Sequence, residues 1–534
     1  MKNFYLATLV AAAALASCSE KDPFLWNKSG PDDGTRFSHD MIILGEQLQD
    51  PYSVDNMTKA LASVYPAAAG RGSLQATDFY VRFLPKDDAD MQLLLDRGVL
   101  MLDHPLDYRI VRDGDWYHDP SVPEDNITWQ YAVVPVDFEF PISVRYERLD
   151  ECYLSEHDPV TKTDGIDWLA VEREAFRLTG NESMLLPATR SDEPVFPEGD
   201  ITIMDPEYSA EPVGVKGVRI VCNSFVKLAM SYTDENGHYK MGRSYSTDLR
   251  YRLIFKNVKG FNQGLNMILL PASVSALGTH PAEGCSVTVD NYSDYNLFVR
   301  CVVNNAGFDY YQASEKSSGA IPAPVQDLRI WDLPLFYNSF NIMMHHGVLI
   351  ETFAPLREAL GEITIIAKIA QPDVYLGLEG CGSYQEAYGR ALLVFAQAGL
   401  FGRVGKSWWH EYIVSAVGSG VMDSFAELLS SIGGSKGGKG TYVDIVHYFS
   451  NYCRTVLYRR HYPGSQDIFG DRMYTPQLFM YLDERGLGLE SVAQLFSSDV
   501  CDMGTLKEKM LSYYPQFKTV ILEAFERYEN TEIN

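Results

Sequence analysis

The stretch that decides the fold is ALLVFAQAGLFGRVGKSWWHEYI, which runs from Ala391 to Ile413. It predicts a helix that ends at a glycine-containing turn, followed by a second helix that begins near a tryptophan pair. Where a catalytic zinc helix carries a His-Glu-x-x-His motif, the first of these helices has only apolar and amide side chains. Whether the chain is an enzyme therefore depends on whether this is a metal helix that has lost its ligands.

The region that contains this stretch, residues 326–534, is predicted to be a mainly α-helical domain. Its apolar residues recur at i, i+3 and i+4 spacing, and Gly, Pro or Gly-Ser stretches separate the helical segments. The segments are DLPLFYNSFNIMMHHGVLIETFAPLREAL, SYQEAYGRALLVFAQAGLF, WWHEYIVSAVGSGVMDSFAELLSSI, YVDIVHYFSNYCRTVLYRRHY, TPQLFMYLDERG, GLESVAQLFSS and TLKEKMLSYYPQFKTVILEAFERYE.

The preceding region, residues 208–325, is predicted to be β-structure. Val218–Val221 and Leu249–Phe255 are strand-like runs. Between them, YTDENGHYKM carries an Asn-Gly dipeptide, which favours a tight hairpin turn because both central residues need a positive φ. The region resembles the small transthyretin-like β-sandwich known as the carboxypeptidase regulatory-like domain, and a generic antiparallel β unit is the alternative.

Residues 38–207 are predicted to form an α+β region. Ser53 or Asp55 is placed to cap a helix. From Ala76 to Arg148 short alternating segments, separated by Pro and Asp, predict strands. The chain is therefore expected to be a multidomain α+β protein.

The first residues, MKNFYLATLVAAAALASCSEKD, have the pattern of a bacterial signal peptide. The apolar run from Phe4 to Ala16 is too short to span a bilayer, and the residues before Cys18 resemble the lipobox of lipoproteins. We therefore expect residues 1–17 to be removed, Cys18 to carry the lipid anchor in the membrane, and residues 18–37 to form a polar tether. The acidic residues after Cys18 resemble surface-export signals of Bacteroidota lipoproteins, so the expected location is the outer membrane, on its surface or periplasmic face. An ordinary secretory signal with an incidental Cys is the alternative.

Composition restricts the possible partners. The formal net charge of −26 argues against nucleic acid and anionic lipid headgroups as ligands. Apart from Cys18 the chain has seven widely spaced cysteines and no Cys-x-x-Cys, which indicates neither a zinc ribbon nor a disulfide scaffold.

The usual catalytic and nucleotide-binding motifs are absent or incomplete. No His-x-x-x-His pair occurs; His345 and His346 are adjacent, and the His410-Glu411 pair has Val414 at the second His position. IGGSKGGKGT nearly fits a phosphate loop, but a Gly follows its Lys where magnesium binding needs Ser or Thr. A Gly-x-Ser-x-Gly match, Gly433 to Gly437, lies within this same glycine-rich stretch and not between a predicted strand and a helix, where a nucleophile elbow needs it.

Five segments carry a family resemblance that covers most of the chain. They are ATDFYVRFLP, HPLDYRI, YHDPSVPEDNITWQYAVV, YTDENGHYKMGRSY and YTPQLFMYLDERGLGLESV. They resemble Bacteroidota lipoproteins that pair a regulatory-like β domain with a C-terminal zincin-like metallopeptidase domain of the gluzincin type.

The resemblance implies where a metal site would lie in this chain. In active-looking members a His-Glu-x-x-His helix precedes a turn that VGKSWW matches here. The two His slots then fall at Leu393 and Gln397, the general-base Glu slot at Val394, and the third-ligand slot, a Glu on the next long helix, at Asp444; a further His of some members would fall at Leu400. Leu and Val offer no lone pair to zinc, so the resemblance implies a degenerate site with no metal and no catalytic residue.

Three functions remain open from the sequence. The first is an inactive peptidase homologue that needs no cofactor and acts as a binding scaffold for a protein or glycan. The second is an active hydrolase with a displaced site, and the third is a structural or adhesive lipoprotein that acts through its β domain. The residues available to a displaced site are His345, His346, His410, Glu411, Asp444 and His447. The oligomeric state stays open.

Overall fold

The computed structural model of the chain describes residues 41–67, 74–123, 126–162, 165–186, 195–264, 272–333, 339–348, 372–418, 441–464 and 477–528. Cys18, the signal peptide, the tether and most of IGGSKGGKGT lie outside the described residues. The described chain is mixed α+β, with several sheets in its first two thirds and a helical C-terminal region.

The strands are β1 Ile43–Gln47, β2 Asp78–Leu84, β3 Met101–Leu102, β4 Tyr108–Arg112, β5 Gln130–Pro135, β6 Arg145–Cys152, β7 Glu198–Ile203, β8 Val213–Gly214, β9 Val218–Ser224, β10 Lys227–Tyr232, β11 His238–Lys240, β12 Leu249–Asn257, β13 Phe261–Gln263, β14 Val274–His280, β15 Val287–Val289, β16 Leu328–Leu333, β17 Phe340–Asn341 and β18 Val374–Gly377.

The α-helices are α1 Val54–Val64, α2 Asp88–Asp96, α3 Trp168–Leu178, α4 Tyr295–Lys316, α5 Tyr384–Val404, α6 Lys406–Gly418, α7 Thr441–His461, α8 Gln477–Asp483, α9 Leu489–Ala493, α10 Met503–Tyr513 and α11 Lys518–Tyr528. Short 3-10 segments lie at Ser155–His157, Pro159–Lys162, Glu182–Met184 and Pro515–Phe517.

The N-terminal part contains a four-stranded antiparallel sheet in the order β3-β5-β2-β6. Successive residues of a strand point to opposite faces, and β2 is buried on both. Phe79 packs in a small core with α2, whereas Tyr80 packs in the core shared with β9 and β10. Ser53 caps α1 by accepting a hydrogen bond from the Asn56 backbone N–H. The sequence had predicted either Ser53 or Asp55 as the cap.

The largest sheet has the order β10-β9-β12-β13-β16-β18-β17, with β14 also paired to β12. Its first half is antiparallel, whereas β13, β16 and β18 run parallel, and β17 pairs antiparallel with β18. The predicted strands at Val218–Val221 and Leu249–Phe255 are confirmed as parts of β9 and β12. One sheet therefore joins strands from both sides of the boundary predicted at residue 325/326.

A smaller sheet, β11-β7-β15 with β8 beside β7, shares a core with the antiparallel half of the large sheet. The Asn-Gly dipeptide does form a tight turn, in which Gly237 has a φ of 81°. The prediction of a hairpin there is wrong, because β10 pairs with β9 while β11 pairs with β7. The turn instead leads the chain from one sheet to the other.

The C-terminal region is helical, and its centre is α5. This helix is buried around most of its circumference, as expected for a helix that is apolar on nearly every face, and it packs against both α4 and α7. The prediction was wrong for the start of the region, where β16, β17 and β18 precede α5. The predicted helical segment from residue 332 to residue 360 begins in β16 and contains β17 and a turn at residues 344–347; residues 334–338 and 349–360 lie outside the described residues.

Candidate functional site

The helix predicted to hold a degenerate metal site is α5. Ser383 and Glu386 form a capping box at its start, in which each side chain bonds the backbone N–H of the other residue. Gly405, with a φ of 81°, ends the helix, and α6 begins at the next residue. The predicted helix, turn and second helix are therefore confirmed.

The first three slot residues lie along one stretch of α5 in apolar surroundings. Leu393 is half-buried, Val394 is fully buried, and the Gln397 side chain is buried with 7% of its surface exposed. Leu400, the further slot, is fully buried as well. Because residues four apart share one helix face, Leu393 and Gln397 lie one turn apart on the same face.

The Gln397 amide is held by the edge strand of the large sheet. Asn341 on β17 donates from Nδ2 to Gln397 Oε1 at 3.2 Å and to the Val394 carbonyl at 2.9 Å. Trp409 of α6 donates from Nε1 to the Asn341 carbonyl at 3.0 Å. A Gln at the second His slot thus contributes a structural hydrogen bond between helix and strand.

The fourth slot residue, Asp444, lies in the first turn of α7 and is half-buried. Burial raises the pKa of its carboxyl group. His447, three residues further on, is half-buried, and desolvation lowers its pKa to about 4, so its imidazole is neutral at pH 7. A neutral imidazole can bind a metal, but it needs partners close by.

Of the other histidines that the sequence singled out, His345 and His346 each lie beside a carboxylate, and His410 lies in α6. His345 Nε2 is 3.0 Å from Asp327 Oδ2, and His346 Nδ1 is 3.0 Å from Asp373 Oδ2. His410 lies in α6 beside the exposed Glu411. Within the described ranges, no three His, Cys, Asp or Glu side chains come together in a group that could hold a metal ion.

A second candidate site was not singled out from the sequence. A polar pocket of about 320 Å³ lies where residues 48, 106–109 and 180–184 meet the large sheet. Arg250, Asp248 and Asn223 are among its lining residues. Its one sequence signal is the alternation of charged residues in DLRYRLIF, which is unusual for a strand that is covered on both faces.

Comparisons of the chain with protein-family models, with curated proteins and with solved structures give no match. None of the helices formed by the described residues is long and apolar enough to cross a membrane.

Proposed function

We propose that the chain is a lipoprotein anchored through Cys18, on the cell surface or in the periplasm, and that it acts as a binding scaffold. In this proposal the C-terminal region is a catalytically inactive relative of zincin-like metallopeptidases, and residues 208–325 form a regulatory-like β-sandwich. The partner is a protein or a glycan. A structural or adhesive lipoprotein, and a hydrolase with a displaced site, are the alternatives.

The observation that carries the proposal is the chemical nature of the residues at the expected ligand and base positions on α5. Two of them, Leu393 and Val394, are apolar, and the third, Gln397, uses its side-chain oxygen to accept a hydrogen bond from Asn341. Zinc catalysis needs about three protein ligands, a bound water and a base. Asp444 alone would leave such a site with one carboxylate, which is too few ligands to compete with water.

The packing of the helices is compatible with the proposed relationship. α7 follows α5 in the chain and packs against it, so a residue in the first turn of α7 is a reasonable place for a third ligand. Gln397 and Leu393 lie on one face of α5, which is the spacing that two His ligands of a metal helix require.

The test measures zinc in the mature chain, residues 18–534, after incubation with zinc and desalting. We expect well below one zinc per chain by elemental mass spectrometry. One tightly held zinc per chain would overturn the proposal in favour of a displaced site. His345, His346, His410 and Asp444 would then be the first residues to substitute.

A gain-of-function variant tests the assignment of the slots themselves. The variant L393H/Q397H/D444E supplies two imidazoles one helical turn apart and a longer carboxylate, and we expect it to retain about one zinc per chain. The matched control, L393H/Q397A/D444E, lacks one ligand and should lose the metal on desalting. If the three-ligand variant folds with the wild-type circular dichroism spectrum but holds no zinc, the slots have been assigned to the wrong residues.

A further inference from the structure

The polar pocket beside the N-terminal part has a floor built by three neighbouring strands. Arg250 on β12 lies directly opposite Asn223 on β9 and directly opposite Thr279 on β14. Side chains that are directly opposed in an antiparallel sheet project from the same face, so these three residues form a continuous polar row. All three line the pocket.

Arg250 is a half-buried cation that makes no salt bridge with a described residue, although the charge of Asp113 acts on it. Its guanidinium donates to the Tyr108 carbonyl at 3.4 and 3.5 Å. Arg252, two residues along the same strand, is by contrast paired with Asp113 at 2.9 Å. Burial and the nearby charge of Arg252 lower the pKa of Arg250 to about 10, against the opposing charge of Asp113, so it remains charged at pH 7.

Asp248 gives the pocket a hydrogen-bond acceptor. It directly precedes β12, two residues before Arg250, and both residues line the pocket. Its carboxylate makes no hydrogen bond or ion pair with another described residue, and burial together with the charge of Glu283 raises its pKa. The pocket thus offers both a cation and a carboxylate that a ligand can satisfy.

The remaining walls are mixed apolar and polar. Phe225 belongs to the two-residue loop between β9 and β10 and has a φ of 48°, a left-handed conformation that is uncommon for a bulky residue. Met184 and Leu106 add apolar surface, and Ser183 brings an exposed hydroxyl. The cavity volume of about 320 Å³ is at the lower end of the range of small-molecule sites.

We propose that this pocket binds a small ligand with a carboxylate that pairs with Arg250 and with hydroxyl or ammonium donors that reach Asp248. A guanidinium can bind a carboxylate through two parallel hydrogen bonds, which an ammonium cannot. A sugar acid such as a hexuronate, or the end of a short peptide, has this chemistry. No residue of α5 lines the pocket, so the inference is independent of the proposed function.

Isothermal titration calorimetry on the mature chain tests the proposal with three probes. They are D-glucuronate, D-glucose as the neutral analogue of the same shape, and L-alanyl-L-alanine. We expect glucuronate to bind at least tenfold more tightly than glucose. If the dipeptide binds and glucuronate does not, and substitution of Arg250 abolishes dipeptide binding, the carboxylate-binding role of the pocket is supported. The natural ligand is then the end of a peptide. Failure of both acids to bind, or equal binding of glucose and glucuronate, would overturn the proposal.

Variants identify the residue that recognises the carboxylate. R250K keeps the positive charge but loses the paired donors, and we expect the binding constant to fall about tenfold; R250M should abolish binding. R145M, which removes an exposed cation outside the pocket, is the matched control and should bind as the wild type does. If R250M does not fold, the affinity of R250K tests the proposal by itself. An R250K affinity equal to that of the wild type would contradict the proposal.

Discussion

At the scale of the residue, Asp50 shows how burial changes acid–base behaviour. Its carboxyl group is 8% exposed, and Oδ1 accepts a hydrogen bond from the Tyr52 backbone N–H at 2.9 Å. Burial raises its pKa to about 8; the Tyr52 hydrogen bond opposes this rise, and the charges of Asp150 and Asp107 add to it. The folded protein therefore holds a proton on Asp50 at neutral pH.

The sign of the resulting pH dependence follows from linkage. Because the pKa is higher in the folded state than the value of 3.8 for an unperturbed Asp, protonation of Asp50 stabilises the fold. That contribution is fully present below pH 4 and is lost as the pH rises through 8. In D50N the group cannot ionise. We expect the free energy of unfolding of D50N, relative to wild type, to rise by about 1.4 kcal/mol per pH unit between pH 4 and 8.

Urea unfolding at several pH values measures this difference. D55N removes an exposed carboxylate, whose side chain is 91% exposed, and serves as the matched control. A constant difference between D50N and wild type across the window would mean that Asp50 ionises normally in the folded protein.

The site residues also show what sequence reasoning can and cannot provide. The spacing from VGKSWW placed Leu393, Val394 and Gln397 on one helix, and the helix is present. The Asn341–Gln397 hydrogen bond joins residues far apart in the chain, so no local pattern could predict it. Arg250 was missed because its lack of a salt bridge depends on the packing of the N-terminal part against the sheet.

At the scale of the element, α5 depends on a glycine for its close packing. A Cβ atom at Gly399 would lie 2.6 Å from Tyr310 Oη and would also collide with the Pro322 carbonyl. Tyr310 itself donates a hydrogen bond to that carbonyl at 3.2 Å. The glycine therefore lets the chain after α4 approach the middle of α5.

This packing reverses the effect expected from helix propensity. In an exposed helix, replacing Gly by Ala stabilises by about 1 kcal/mol. At Gly399 the overpacking cost is larger, and we expect G399A to lower the free energy of unfolding by about 2 kcal/mol. Urea unfolding of G399A and wild type measures this difference. If G399A is more stable than wild type, the chain at Pro322 must move away from α5 without an energetic cost.

Secondary structure was predictable where one periodic pattern ran for many residues. α5, α7 and the helices after residue 477 are such cases, as are β9 and β12. The strands β16 and β18 were missed because they are short and pair in a parallel sheet with strands that are distant in the chain, so no sustained local pattern marks them. The Asn-Gly turn was recognised, but which sheet each neighbouring strand joins is decided by tertiary packing.

At the scale of the whole molecule, a buried ion pair joins the N-terminal part to the large sheet. Lys227 of β10, 3% exposed, lies 3.0 and 3.2 Å from the two carboxylate oxygens of Glu172 on α3. Glu172 is itself 5% exposed. Arg329 of β16 makes a similar bridge to Asp88 of α2, at 2.7 Å.

Removing one member of the Lys227–Glu172 pair should cost more than removing both. K227M leaves a buried carboxylate without its cation, and we expect a loss of about 3 kcal/mol in the free energy of unfolding. The double variant K227M/E172M should recover most of that loss because the Glu172 carboxylate is no longer left without its cation, while Glu156 keeps its pairing with Arg243. K240M breaks the exposed Lys240–Glu198 pair and should cost less than about 1 kcal/mol.

Urea unfolding of the single and double variants measures the coupling between Lys227 and Glu172. Equal effects of K227M and K240M would contradict the view that burial makes the first pair important. Additive losses in K227M/E172M would mean that the two side chains do not depend on each other.

The pairing of β13 with β16 decides how this chain can be divided. A fragment ending at residue 325 would retain β13 but lose β16, the strand that pairs with it. It would also retain α4 but lose α5, the helix that packs against it. The open hydrogen-bonding edge and the bare apolar helix surface would attract other copies and promote aggregation. Binding experiments with truncated fragments would then report non-specific association and not specific binding. Point variants of the whole chain are therefore the better way to locate a binding surface.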